Sequence, residues 1–195
     1  MVDGQRRTFE GLGCIVEDAN PDLREADDVF VTLRAWMSAH SLGPLIERHR
    51  AVMKPEAIWQ IERGFEVTAS QVASALARHA ALLERMRSFF ERFDALVCVV
   101  SQVPPFDATL TWPRDVAGVA MEHYIAWMRS CYWISVTLGP AISVPAGFTP
   151  DGLPVGIQIV GRPRADCALL ELAKAFETAT GFGSRGGRRL RWPIL

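Results

Sequence analysis

Two apolar runs near the end of the chain, residues 141–145 and 155–160, restrict its possible folds more than any other feature. Both have the length and β-branched content of strands. Residues 149–152 between them read Thr-Pro-Asp-Gly, an order that favours a tight turn, so the runs predict a β-hairpin. A third apolar run, residues 95–100, is too short for a helix and lacks polar alternation, which predicts an interior strand covered on both faces.

The first part of the chain also carries strand and helix signals. Residues 13–18 form a short apolar run bounded by Gly and by Asn-Pro, which predicts a strand. Asn20 can cap a helix that begins directly afterwards, and Pro21 suits its first turn because no backbone donor is needed there. The Gly-Pro pair at 43–44 predicts the end of this helix.

Further helices are predicted downstream. Thr68 and Gln71 form a capping box at the start of a long amphipathic helix. Residues 118–128 show helical spacing, and a last helix extends from its cap at Asp166 to Gly181, which suits a left-handed terminus. Strands interleaved with long helices predict an α/β fold with a mixed β-sheet and helices packed on it.

Charge and hydropathy exclude several classes of partner. The 21 Lys and Arg residues nearly balance the 22 Asp and Glu residues, so a net charge of −1 gives no attraction to nucleic acid or to an anionic membrane. No apolar run approaches the roughly 20 residues that a membrane span needs, and the N-terminus lacks the apolar stretch of a secretory signal. We expect a cytoplasmic protein that binds neither nucleic acid nor membrane.

The sequence lacks the spacing of metal and cofactor motifs. The four cysteines are widely scattered and are expected to be reduced: Cys14, Cys98, Cys131 and Cys167. The four histidines fall in predicted helices and lack the spacing of paired ligands: His40, His49, His79 and His123. Residues 181–186 match the dinucleotide pattern GxGxxG, but they follow a helix instead of a strand. We therefore predict no metal and no cofactor.

An aromatic-rich patch is the one candidate binding surface. It comprises Tyr124, Trp127, Cys131 and Trp133, and we predict that these residues line a small-molecule pocket. Burial in the core is the alternative, because aromatic stripes more often serve packing. A thiol nucleophile at Cys131 or Cys98 stays open as a further alternative, although neither has an identifiable His and acid partner.

Residues 136–161, VTLGPAISVPAGFTPDGLPVGIQIVG, closely resemble the C-terminal part of amidase signature family enzymes. The likeness extends loosely to the Pro-rich loop after residue 100, to the last helix and to the opening residues 9–18. It implies that residues 1–182 are a C-terminal segment of one amidase domain, followed by an Arg-rich tail at 183–195. Family members more often carry Gly at the position of Leu138.

The resemblance implies amide hydrolysis through a Ser, bridging cis-Ser and Lys triad that lies in the family's N-terminal half. This chain has no Ser-Ser pair, and neither Lys54 nor Lys174 has a family-like setting. We therefore assign no catalytic residue and expect a fragment that is inactive alone and supplies sheet and pocket wall for a small amide substrate. The alternative is a non-catalytic subunit or binding module. The expected partner is a separate N-terminal amidase half, or a second copy in a homo-oligomer.

Overall fold

A computed structural model describes residues 2–184 of the chain. Its helices are α1 (Val2–Gly11), α2 (Ala26–His49), α3 (Pro55–Phe65), α4 (Ala69–Phe89), α5 (Arg129–Ser135) and α6 (Asp166–Thr180). Its strands are β1 (Ala95–Val99), β2 (Asp115–Val116), β3 (Val119–Ala120), β4 (Ala141–Phe148) and β5 (Pro154–Gly161). Short 3₁₀ turns lie at Arg50–Val52, Ala126–Met128 and Phe182–Ser184. The α/β class predicted from the sequence is confirmed.

The main sheet has three strands in the order β1-β5-β4. Both pairings are antiparallel, so within residues 2–184 the sheet is not the mixed one that was predicted. The predicted hairpin is therefore confirmed as β4 and β5, with Ile142 opposite Ile159 and a bulge between Pro145 and Gly147. The apolar run at 95–100 does form a strand. Within residues 2–184 it pairs only with β5 and lies at the edge of the sheet, so its predicted interior position is wrong. Its predicted cover on both faces is confirmed, since Leu96 packs in one core cluster and Val97 in the other.

Successive strand residues point to opposite sides of the sheet, and apolar side chains lie on both sides. Helices therefore cover both faces. On one face, Leu96 and Val160 pack with residues of α2, α4 and α5, including Leu82 and Ile134. On the other face, Ile157 and Ile159 pack with α1 and α6. The rings of Phe9 and Phe176 stack there at 4.9 Å and join those two helices.

Two predictions for the N-terminal part are wrong. Residues 13–18 form no strand: Gly13 lies in a turn with φ of 88°, and residues 14–18 have no regular secondary structure and no strand beside them within residues 2–184. Asn20 and Pro21 do not open a helix, since α2 begins only at Ala26, after Glu25 in a left-handed conformation with φ of 70°.

Proline does not interrupt α2, contrary to the prediction for 43–44. Pro44 lies inside the helix, although its ring removes one backbone hydrogen bond. A Cβ on Gly43 would lie 2.8 Å from Phe65 Cζ, so the missing side chain lets α3 pack closely at this point. We attribute the continuity of α2 to this packing.

The predicted helix at 118–128 is also wrong. Ala117 and Gly118 have φ of 53° and 82°, and they form the two-residue turn of the β2–β3 hairpin. Such turns require positive φ at both central residues, and the Ala-Gly sequence does not predict one because Asn or Asp is usual at the first position. His123 consequently lies outside the helices.

Helix ends agree better with their sequence signals. The capping box of Thr68 and Gln71 is present, and Gly181 ends α6 with φ of 61°. Asp166 lies in the first turn of α6 and not at its cap, which is Ala165. Across the described part of the chain, no helix is both long enough and apolar enough to span a bilayer. Of the Arg-rich tail at 183–195, residues 185–195 lie outside the described residues.

Candidate functional site

The predicted pocket residues divide into three settings. Tyr124 and Trp127 lie together in a small apolar cluster with Trp112, Met121 and Ala126, which precedes α5. Cys131 lies on α5 beside the end of β1, and Trp133 packs against the core on the α2 face of the sheet. All four side chains are half-buried. The structure thus brings Tyr124 and Trp127 together, while Trp133 belongs to a different set of contacts.

Trp133 is held by Asp27 of α2. The Asp27 carboxylate accepts hydrogen bonds from Trp133 Nε1 at 2.7 Å and from the Tyr132 hydroxyl at 2.5 Å. Arg129 Nε lies 3.4 Å from the second carboxylate oxygen, and the Tyr132 ring stacks on Phe30 at 4.3 Å. Burial, assisted by the hydrogen bond to Asp27, raises the pKa of Tyr132 above its ordinary value. This network locks α5 onto α2.

Cys131 takes part in a second polar cluster, centred on the buried Gln158 of β5. Gln158 Nε2 donates to Val99 O at 2.6 Å and to Ser130 O at 2.9 Å. Ser130 Oγ and Cys131 Sγ both donate to Val100 O, at 2.8 and 2.7 Å. These bonds fix the start of α5 against the end of β1.

The thiol environments argue against a cysteine nucleophile. Burial raises the pKa of Cys98 to about 11, and it also raises the pKa of Cys131. Reactive cysteines need a lowered pKa, because the thiolate is the attacking species. Within residues 2–184 all four cysteines are free.

The segment that carries Tyr124 and Trp127 also contains buried polar atoms without hydrogen-bond partners among the described residues. They are His123 Nδ1 and Trp127 Nε1, whereas Arg129 Nε makes no hydrogen bond but is paired with the Asp27 carboxylate at 3.4 Å. Burial and the nearby Arg63 charge lower the pKa of His123, so its ring is neutral at neutral pH. Buried polar groups are normally satisfied by protein or by ordered water, so these two atoms make the segment a candidate binding site.

Two clefts along α2 and α3 do not coincide with the predicted pocket. A cleft of about 530 Å³ lies between α2, α3 and the start of α4, and its walls include Trp59 and Arg63. A second, of about 730 Å³, lies along α2 and α3 beside Trp36 and Phe65. Tyr124, Trp127, Cys131 and Trp133 line neither cleft.

The contacts that position the predicted pocket residues and that the sequence did not predict are long-range. Asp27 lies 105 residues from Tyr132, and Gln158 lies 28 residues from Ser130. No local pattern relates these pairs, so only the fold reveals them. Both lysines, Lys54 and Lys174, are exposed, at the start of α3 and on α6.

A family model described as Amidase matches residues 16–170. An acylamidase from Rhodococcus erythropolis is 28% identical over 173 residues, which cover 87% of this chain and 36% of that protein. A glutamyl-tRNA(Gln) amidotransferase component from Dehalococcoides mccartyi is 34% identical over 101 residues, or 51% of this chain and 19% of the relative.

The fold matches solved structures over nearly its whole length. The crystal structure of a bacterial aryl acylamidase of the amidase signature family superposes with a TM-score of 0.82 and 23% identity, covering 94% of this chain and 40% of that one. A 6-aminohexanoate cyclic dimer hydrolase superposes with a TM-score of 0.79 and 20% sequence identity, and the match covers 96% of this chain and 42% of that one. The chain therefore spans only about two fifths of the length of these proteins.

Proposed function

Because the chain belongs to the amidase signature family, we propose that it is the C-terminal part of an enzyme that hydrolyses a small carboxamide or a related C–N bond. The match across residues 16–170, in a sequence without a Ser-Ser pair, is the observation that supports this proposal most strongly. The chain contributes three sheet strands and one wall of the acyl pocket. An N-terminal amidase segment contributes the serines and the lysine.

The segment around Tyr124 and Trp127 is the proposed pocket wall. Trp127 contacts Phe106 edge-on at 5.4 Å, so it offers an apolar surface, while its Nε1–H is a buried donor without a partner among residues 2–184. An apolar wall with a few unsatisfied polar groups is typical of small-molecule sites. Asp27 and Gln158 act indirectly, since they hold α5 and the chain before it in place.

The chain alone is proposed to be inactive. Hydrolase triads supply most of the acceleration of the chemical step, and a chain without the serine nucleophile and its base loses many powers of ten. The proposed partner is a separate N-terminal amidase half, with a second copy of this chain as the alternative. Neither nucleic acid nor membrane is proposed as a partner, because the net charge is −1.

Complementation tests this function. The purified chain is mixed with the part of the Rhodococcus erythropolis acylamidase that precedes its matched segment, and hydrolysis of aryl amides is followed. We expect no turnover by either piece alone and turnover by the mixture, abolished when the nucleophilic serine of the added piece is replaced by Ala. Turnover by the 195-residue chain alone would contradict the proposal, whereas a stable complex without turnover would favour the non-catalytic binding module.

A further inference from the structure

The segment 14–18, between α1 and α2, has no regular secondary structure, but its side chains alternate like those of a strand without a neighbour. Cys14 and Val16 are half-buried and pack against the core cluster beneath α1 and α6. Ile15 points the other way and is 92% exposed, the most exposed of the large apolar side chains in residues 2–184. Alternation of this kind is the pattern of a strand with one face on a core.

Residues of α1 hold one side of the segment. Cys14 N–H donates to Phe9 O at 3.1 Å, and Arg6 Nη1 donates to Val16 O at 2.8 Å. Arg6 also pairs with the Asp18 carboxylate. Three contacts therefore fix the side of the segment that faces α1.

The opposite edge is open. In an extended chain, the backbone groups of alternate residues point to opposite edges. Cys14 and Val16 use the edge toward α1, whereas the N–H and C=O groups of Ile15 and Glu17 have no hydrogen-bond partner within residues 2–184. An unpaired backbone edge beside an exposed apolar side chain is a template for an added strand.

We propose that Ile15 and Glu17 form the backbone docking edge for a β-strand of the N-terminal amidase segment that this chain lacks. This inference rests on the proposed function. The chain spans only 36% of the length of the matched acylamidase, so the larger part of the fold is available to supply such a strand and to cover Ile15. The pairing also explains why a sequence typical of a strand is unpaired here, since a strand needs a neighbour to satisfy its backbone.

Amide exchange, together with one pair of variants, tests the docking edge. Backbone amide exchange of the 195-residue chain is measured by NMR with and without the N-terminal acylamidase piece used for complementation. We expect fast exchange of the Ile15 and Glu17 amides in the free chain and slowing by at least about tenfold in the complex. Exchange of these amides is read separately from catalysis.

The variants Glu17→Pro and Glu17→Ala separate the backbone from the side chain. Both remove the carboxylate, but only Pro removes the N–H, and Pro suits an extended segment. We expect Glu17→Pro to weaken the complex by about tenfold, as for one lost backbone hydrogen bond, and Glu17→Ala to change its Kd by less than about threefold. Thermal unfolding of the free chain should be the same for both variants.

Each outcome has a definite meaning. A complex in which the amides of 15 and 17 still exchange fast, or in which β1 is protected instead, overturns the docking edge but leaves the proposed function standing. Protection without hydrolysis supports the docking edge and contradicts the proposed function. Absence of a complex overturns both. If the amides of 15 and 17 become protected as the concentration of this chain alone rises, a second copy of the chain occupies the edge. That result overturns the proposal of an amidase segment as the occupant.

Discussion

Leu138 has a backbone conformation that suits glycine better. Its φ is 56°, and its side chain is 63% exposed, so little packing offsets the strain. We expect Leu138→Gly to raise the free energy of unfolding by about 0.5–1 kcal/mol, because relief of the left-handed strain outweighs the greater entropy of the unfolded chain. Urea unfolding measures this. Leu138→Ala is the control, since it removes the side chain and keeps the strain, and an equal gain from Ala would contradict the explanation.

The buried thiol of Cys98 makes stability depend on alkaline pH. Burial raises its pKa from 9.0 to about 11, so the folded chain retains this proton after the unfolded chain has lost it. The contribution of Cys98 to the free energy of unfolding should therefore be constant well below pH 9 and fall between about pH 9 and 11.

Comparison with Cys98→Ala isolates this contribution, because other groups, such as Tyr132, titrate in both proteins. The fall should be steeper in the original chain, by at most about 1.4 kcal/mol per pH unit for one proton. Parallel curves for the two proteins, from denaturant unfolding at each pH, would show that Cys98 is not protected by burial.

Single residues were predictable where the signal was local. The Leu138 position stood out from the sequence because glycine is usual there in the family. Asp27, Tyr132 and Gln158 did not, because each gains its role only when α5 packs on α2 and on the end of β1.

The close pairing of α2 with α3 depends on missing side chains at Gly43 and Gly64, and Gly64 is the more tightly packed. A Cβ on Gly64 would lie 2.0 Å from the carbonyl oxygen of Ala35 and 2.7 Å from the Cβ of Ala39. Backbone cannot yield as a flexible side chain does, so Gly64→Ala should force the helices apart and lower the free energy of unfolding by about 1–3 kcal/mol.

Gly4→Ala is the matched control for Gly64→Ala, because it makes the same substitution in a helix that lacks a close neighbour at that position. Gly4 lies in α1 with open space around its Cβ position, so the same substitution should be neutral, or stabilising by up to about 1 kcal/mol. Denaturant unfolding measures the free energy of unfolding of both variants. Equal effects would mean that helix propensity, and not the close approach of α2 and α3, governs Gly64.

Secondary-structure elements were predictable when their own residues carried the whole signal. The β4–β5 hairpin, with its Pro-Asp-Gly turn, and the capping box at Thr68 are of this kind. Residues 13–18 have strand composition but no neighbour within residues 2–184, and the β2–β3 turn uses Ala117 at positive φ, which composition does not show. Pro44 stays in α2 because of packing that the sequence alone could not reveal.

In the proposed complete enzyme, Trp127 and Trp133 have different roles, which the sequence alone did not distinguish. Trp133 Nε1–H is committed to Asp27, whereas Trp127 Nε1–H is buried without a partner in residues 2–184. Replacing each by Phe removes the same atoms. Trp133→Phe should therefore destabilise the chain by about 1–2 kcal/mol, while Trp127→Phe should destabilise it by less.

In the complemented enzyme, catalysis should depend more on Trp127 than on Trp133, which is the reverse of their order for stability. If Trp127 Nε1–H binds an oxygen of the substrate, Trp127→Phe should raise KM for an anilide about fivefold with kcat nearly unchanged, the mark of a contact made equally in the ground and transition states. Trp133→Phe should leave KM within about twofold, because its hydrogen bond stays within this chain. Steady-state kinetics at saturating partner concentration measures both values. A larger KM effect from Trp133 than from Trp127 would move the substrate to the α2 side of the sheet and remove Trp127 from the pocket.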